Sequence, residues 1–404
     1  MDDFTTVLAA LIAVLVGAKL LGSFAQRAGQ PAVLGELVAG VLLGHSVLGL
    51  LDPHQPVIHA LAELGVLILL FEIGLHTDVR SLVKVGGSAT AVGGVGVVLP
   101  FALGYGVSVA LGVAMLPAIV CGAALTATSI GISARVLADL GQLDSPEGQV
   151  VLGAAVLDDV VGLIILSVVS GLASGGSVSP LEIARITAVA IGFIVLALVV
   201  GNFVAPPIVR QVDRFQRTGD VLGPVALAFA LLLAWLAERS GSAMIIGAFA
   251  AGLVLHGTPQ RGAIERSVTT LGHYLVPIFF AVVGASVDVR ALASGPILLI
   301  GGALIVVGVL GKVAAGYAPW WFRGRKLLIG VAMVPRGEVG LIFAQLGLTT
   351  GVLSVKLFSA LTLMVMVTTF IAPPLVSRLS AKQEPAEGGS RGVTDLVSGV
   401  SRER

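Results

Sequence analysis

Leu70-Phe71-Glu72-Ile73-Gly74-Leu75-His76-Thr77-Asp78-Val79-Arg80 and Phe280-Ala281-Val282-Val283-Gly284-Ala285-Ser286-Val287-Asp288-Val289-Arg290 place Gly, Asp, Val and Arg at a constant offset of 210 residues. Each copy closes an apolar run. A bilayer core of about 30 Å needs roughly 20 apolar residues per helix, and outward from these two runs the chain divides into thirteen such segments. They are residues 4–24, 32–51, 56–75, 85–111, 116–136, 149–172, 183–205, 221–237, 242–255, 268–287, 296–318, 327–348 and 353–376. The offset counts seven segments, an odd number, so the two copies would point in opposite directions across a membrane. The expectation is an all-α polytopic membrane protein with an inverted repeat, segments one to six echoed by eight to thirteen and segment seven linking them.

Composition agrees with that reading. Of 404 residues 56% are hydrophobic and 12% charged, against about a quarter charged in soluble domains, which excludes an ordinary soluble enzyme. The 53 glycines sit inside apolar runs without a G-X-Y period, as in closely packed helices in lipid. A net charge of +1 with scattered cations leaves no footprint for nucleic acid. Cys121, the one cysteine, lies in an apolar stretch and reads as a small buried side chain, not part of a disulfide or metal site. His45, His54, His59, His76, His256 and His273 show no ligand spacing, so neither metal nor cofactor is assigned.

Loops alternate in basic content. Arg27, Arg80, Lys84, Arg135, Arg210, Arg214, Arg217, Arg261, Arg266, Arg323, Arg325 and Lys326 fall on one side, and Arg185, Arg239, Arg290 and Lys356 on the other. The positive-inside rule makes the first side cytoplasmic, placing the N-terminus outside and residues 377–404 inside as a short solvated tail. Residues 4–24 follow no basic stretch, so they read as a retained span and not a cleaved signal. The expected location is the cell's inner (plasma) membrane.

Charges within apolar segments cost several kcal/mol unless paired, hydrated or functional. Asp158 and Asp159 in segment six lie about 14 Å above the basic end at 1.5 Å per residue. Thr128 and Ser129 in segment five, Arg336 in segment twelve and Lys312 in segment eleven come within one or two turns of that level. Neighbouring carboxylates diverge by about 100° on a helix, so one can pair with a cation while the other faces a pathway. Lys312 is the partner within reach. Arg336 and Glu338 flank Gly337 just after Pro335, where charges can compensate half-helix dipoles. Segments five and twelve therefore read as interrupted helices in corresponding positions of the two halves. Glu36, Glu63 and Glu72 also fall in spans, and Glu72 reads either as a polar packing residue or as a second proton site.

These residues resemble the monovalent cation:proton antiporter superfamily, most closely its NapA-type sodium/proton antiporters. The resemblance rests on Gln30-Pro31-Ala32-Val33-Leu34-Gly35-Glu36-Leu37-Val38-Ala39-Gly40, Ala127-Thr128-Ser129-Ile130-Gly131, Leu157-Asp158-Asp159-Val160, Pro277-Ile278-Phe279-Phe280, Leu310-Gly311-Lys312 and Pro335-Arg336-Gly337-Glu338-Val339-Gly340-Leu341. It implies a transmembrane antiporter domain over 1–376. Residues 85–172 and 296–376 would be mainly the ion-translocating core, and 1–111 and 183–318 would contribute dimerisation, linker and core helices. Segments five and twelve would cross, and the protein would be a homodimer. It further implies that Asp159 binds the cation (Na⁺ or Li⁺, or K⁺) and the proton, with Asp158 assisting and held by Lys312, and with Thr128, Ser129, Arg336 and Glu338 in support. His76, where relatives commonly have Glu, and Glu72, where they are apolar, depart from the pattern.

The expected activity is sodium (or lithium)/proton antiport, electrogenic if Lys312 also carries a proton; the alternative is electroneutral potassium/proton exchange on the same fold. An intramembrane aspartyl protease needs two carboxylates facing each other from separate helices, which neighbours on one helix cannot provide. A passive channel would be told apart by flux uncoupled from a pH gradient.

Overall fold

The computed structural model describes residues 2–173, 180–215, 221–286 and 295–381. Sixteen helices follow one another among them: α1 (Asp2–Arg27), α2 (Ala32–Leu43), α3 (Pro56–His76), α4 (Val79–Lys84), α5 (Gly86–Ala110), α6 (Met115–Ala124), α7 (Ile130–Asp139), α8 (Pro146–Ala173), α9 (Pro180–Phe215), α10 (Leu222–Arg239), α11 (Met244–His256), α12 (Arg261–Ala285), α13 (Gly295–Ala315), α14 (Lys326–Ala332), α15 (Glu338–Thr349) and α16 (Val355–Ala381). Among the described residues, eight helices are long and apolar enough to cross a membrane unaided. Segments five and twelve are each split in two, as α6 with α7 and α14 with α15.

Several boundaries differ from the sequence reading. The tenth segment, read from 268, begins at Arg261 as α12. The thirteenth, read to 376, runs on to Ala381 as α16, which takes buried Ser377 out of the expected solvated tail. Two others differ more in kind. Hydropathy carries the second segment to residue 51, but α2 stops at Leu43. Gly44 is extended, Gly49 takes φ +65°, and the amides of Leu50 and Leu51 turn back onto the carbonyl of Leu43. Val47, Leu48, Leu50 and Leu51 keep the stretch apolar, while the glycines release its backbone from the helix. The seventh segment, read over 183–205, belongs to the longer α9. Asp78 of the repeated motif accepts hydrogen bonds from the Arg80 N–H and the Ser81 hydroxyl, opening α4. Those two donors hold its carboxyl below the usual carboxylate range. Val287, Asp288, Val289 and Arg290 lie outside the described residues.

The motif's glycines are where helices touch backbone to backbone. A Cβ at Gly284 on α12 would collide with the Leu37 carbonyl oxygen of α2, and one at Gly40 on α2 with that of Ala281. The same reciprocal contact occurs between α3 and α11. A Cβ at Gly74 would collide with the Phe249 carbonyl oxygen, and one at Gly252 with that of Phe71. Gly74 and Gly284 are the repeated pair, and Phe71 and Ala281 share their offset. A small residue at such a crossing lets two helices approach where no hydrophobic force between helices operates in lipid.

Further packing is paired in the same way. α1 lies on α2 as α10 lies on α11, and α5 lies on α8 as α13 lies on α16. α3 meets α12, and α5 meets α13, across what would be the centre of that pairing. Helices α1–α3 and α10–α12 pack mainly on one another, as do α5–α8 and α13–α16, while α9 touches both groups through α11 and α8.

Gly40→Ala and Gly252→Ala should each destabilise the protein by about 2–3 kcal/mol through overpacking against backbone. Gly94→Ala, where a Cβ meets nothing within 4 Å, should be neutral or slightly stabilising. Thermal denaturation of the three purified variants in detergent distinguishes these outcomes.

Candidate functional site: two broken helices crossing beside a buried ion pair

Pro335 lacks an N–H, and the residue before a proline is pushed out of the helical region, so α14 ends at Ala332 and α15 restarts after Gly337. In the partner segment the hydroxyl of Thr126 donates to the Ala123 carbonyl at 2.7 Å, α6 ends at Ala124, and α7 begins after Ser129. Each break leaves amides and carbonyls that an apolar layer cannot satisfy.

The two breaks satisfy one another. The Ser129 N–H donates to the Pro335 carbonyl at 2.9 Å, and the Ser133 hydroxyl donates to that of Ala332 at 2.7 Å. Arg336 Nη1 reaches back to the Ala127 carbonyl at 2.6 Å. The carbonyl of Arg336 itself accepts from the Thr369 hydroxyl of α16. Arg336 is therefore a fully buried cation beside the carbonyl-bearing end of α6, the end that favours positive charge.

Asp158 stands over this crossing. Its Oδ2 accepts from the Lys312 ammonium at 2.6 Å and from the Thr128 hydroxyl at 2.7 Å. The same hydroxyl lies 3.2 Å from the Met333 carbonyl. Lys312 Nζ and both aspartates are buried. Room for the ammonium comes from Gly96 on α5, where a Cβ would stand 3.2 Å from Nζ. Asp159 and Arg336 both lie within electrostatic range of Lys312. Oδ1 of Asp158 and Nε and Nη2 of Arg336 have no protein hydrogen-bond partner among the described residues. Every donor atom on the anionic side is oxygen, the chemistry that suits a hard cation.

The residues singled out in the sequence thus divide. Asp158, Asp159, Lys312, Thr128, Ser129 and Arg336 gather from α8, α13 and the two breaks. Glu338 opens α15, and its side chain lies outside the described residues. Glu72, which has no evident partner in the sequence, accepts from the Thr269 hydroxyl at 2.7 Å between α3 and α12, away from this group. His76 sits 3.5 Å from Glu265, and Glu63 pairs with exposed His59. Cys121 is buried. Sequence reasoning missed Ser133, Thr369 and Gly96. The consecutive Thr368-Thr369 inside an apolar span was the available signal for one of them.

A helical membrane chain whose two interrupted helices cross beside buried charges has the build of a secondary transporter. The family described as sodium/hydrogen exchanger, transmembrane, matches residues 9–382, and the chain belongs to it. It is 40% identical to the high-affinity Na⁺/H⁺ antiporter NhaS3 of Synechocystis, over 94% of this chain and 91% of that one. It is 32% identical to the Na⁺/H⁺-K⁺ antiporter GerN of Bacillus cereus, over 94% and 97% of the two chains. The solved structure of the sodium proton antiporter MjNhaP1 from Methanocaldococcus jannaschii has the same fold. Its TM-score is 0.68 at 18% identity, covering 94% of this chain and 97% of that one.

Arg336→Gln should lower stability by about 1.5–3 kcal/mol, because a hydrogen bond from a charged donor and the compensation of a helix end are lost together. Thr369→Val should cost about 1 kcal/mol, the net value of a neutral hydrogen bond. Thermal unfolding of the two variants ranks them; a larger loss for Thr369→Val would reverse the assignment of Arg336 as the main strut.

Proposed function

We propose that the chain exchanges monovalent cations for protons by alternating access, with Asp159 binding either a sodium (or lithium) ion or a proton. The observation that carries this reading is the buried Asp158–Lys312 pair, completed by Thr128, one residue from Asp159 and at the crossing of two broken helices. A permanent buried pair gains little over apolar side chains of similar volume, so its retention here serves the cycle. Competition for one carboxylate couples the two fluxes. Ser129, Arg336 and Glu338 support the site, and no cofactor takes part.

In this reading α5–α8 with α13–α16 form the core that carries the ion. α1–α3 with α10–α12 form the scaffold through which two copies dimerise. The N-terminus faces outside and residues 377–404 the cytoplasm of a cell bounded by this membrane, following the basic loops. When a cation draws Asp158 into its coordination, Lys312 releases its proton, so more than one proton moves per cation and the exchange is electrogenic. One elementary charge is worth about 2.3 kcal/mol per 100 mV. Potassium as a further substrate is supported by the likeness to GerN, named for both Na⁺ and K⁺.

Purified protein in liposomes with an imposed pH gradient identifies the cation: addition of Na⁺ or Li⁺ should dissipate the gradient, and response to K⁺ alone would replace the sodium reading by potassium/proton exchange. Asp159→Asn should abolish exchange in the same assay, because an amide neither titrates nor supplies the charge a dehydrated cation needs. In the wild type, apparent cation affinity should weaken as pH falls. Full exchange by the Asn variant would remove Asp159 from the site.

Lys312→Gln tests the second proton. Surviving exchange should be electroneutral, and stability should fall by about 3–5 kcal/mol because Asp158 is left buried and unpaired. Charge movement on a solid-supported membrane after a sodium jump decides it. Equal current per exchanged ion in variant and wild type would leave Lys312 a structural partner only.

A further inference from the structure

On the side marked by the basic loops, the two helix groups are joined by hydrogen bonds. Asp139 ends α7, and its Oδ2 accepts from the Ala32 N–H at 3.1 Å. Ala32 is the first residue of α2, and Pro31 before it offers no capping side chain. The group that satisfies this amide therefore comes from 107 residues away, on a helix of the other group. Arg135, one turn back on α7, holds the second oxygen of Asp139 at 3.0 Å. A carboxylate on a helix N-terminus combines a charge-assisted hydrogen bond with a favourable dipole interaction.

A second strand of the same contact is independent. Ser377 on α16 donates to the Gly29 carbonyl at 3.1 Å, in the turn that leads into α2. Glu36, one turn into α2, is buried there within electrostatic range of Lys19, Arg135 and Asp139. Glu36 and Asp139 thus share the field of Arg135 where the groups touch. Towards the other end of α2 the groups face each other across a mostly apolar crevice, lined by Leu37, Val283, Leu341, Met366, Phe370 and Thr369, the last being the residue bonded to Arg336.

We infer that Asp139, held by Arg135 and seconded by Ser377, is a latch between core and scaffold that closes the basic side and must leave α2 each time that side opens. The inference rests on the proposed division into a moving core and a fixed scaffold. Asp139 is a positioning residue in it: it sets how readily the pathway opens and takes no part in binding the ion. The intrahelical Arg135–Asp139 pair alone would not require any of this. The bond from the Ala32 N–H gives Asp139 a partner in the other group, and the bond from Ser377 to the Gly29 carbonyl joins the groups a second time.

Val33 is fully buried beside the latch, so Val33→Cys in a Cys121→Ala background reports its opening. The experiment measures labelling of this thiol by an impermeant maleimide in membrane vesicles that expose the basic side, with and without Na⁺. Asp139→Asn should raise the labelling rate about tenfold, since a charge-assisted bond is replaced by a weaker neutral one. The exchange Arg135→Asp with Asp139→Arg keeps an ion pair within α7 but turns a cation towards the α2 N-terminus, and it should raise the rate as well. Ser377→Ala should raise it by a smaller factor, and decides the matter if the Asp139 variants do not fold. Unchanged labelling in the variants, with a wild-type rate that still responds to Na⁺, overturns the latch and leaves the moving core standing. A wild-type rate indifferent to Na⁺ during active exchange overturns the moving core, and the latch with it.

Discussion

In an apolar layer a backbone amide or carbonyl without a partner costs several kcal/mol, and this protein interrupts two helices there. Everything around the site follows from how those loose ends are met. Amide and hydroxyl groups of one break bond to carbonyls of the other, through Ser129 to Pro335 and Ser133 to Ala332, and Arg336 closes the circuit at Ala127. The crossing places Thr128 in the gap between helix ends, and its hydroxyl is then free of any helix of its own and turns to Asp158. The polarity that a broken backbone imposes is the same polarity that lets a carboxylate and an ammonium sit beside it.

The surrounding fold serves that arrangement by keeping side chains out of the way. Gly96 leaves room for the Lys312 ammonium, and Gly311 lets α13 approach Pro100 of α5, with a Cβ there 2.9 Å from its ring. In the other helix group the reciprocal glycine contacts of α2 with α12 and α3 with α11 bring backbones together directly. The first group has such contacts too: a Cβ at Gly330 on α14 would stand 2.6 Å from the Val313 carbonyl oxygen of α13, so backbone contact also holds the helix that carries Lys312.

Much of this was legible in the sequence because lipid makes charge conspicuous. Asp158, Asp159, Lys312 and Arg336 stand out in apolar runs, and Pro335 with Gly337 marks a break by backbone chemistry alone. Ser133 was not legible, and Thr369 only as one member of the Thr368-Thr369 pair in an apolar span. A hydroxyl in a helix usually bonds its own preceding turn, as Thr368 does to Met364, and no pattern tells which threonine turns outward instead. Asp139 was equally hidden, since its partner amide lies far along the chain and an amide has no signature. The end of α2 was misplaced because leucines continue past Gly44 and hydropathy does not register a released backbone. Only half of the glycine pairing was visible: Gly74 and Gly284 share the motif's offset, while Gly40 and Gly252 are displaced from it by two residues and carry no polar neighbours to draw notice.

That displacement has its own meaning. The stretch between the paired glycines is two residues longer in the first half than in the second, and the first half contains the folded turn of residues 44–51, where Gly44 bridges to Leu51. In the second half the link between α11 and α12 is a bare four residues, Gly257, Thr258, Pro259 and Gln260. In the alternating-access cycle proposed above, two identical halves related by a twofold axis would make the two end states equal in energy, with no preferred rest. Unequal links in the two halves would lift that degeneracy and give such a cycle a default posture set by chain length, so that an ion gradient would work with or against a bias and not from a level start.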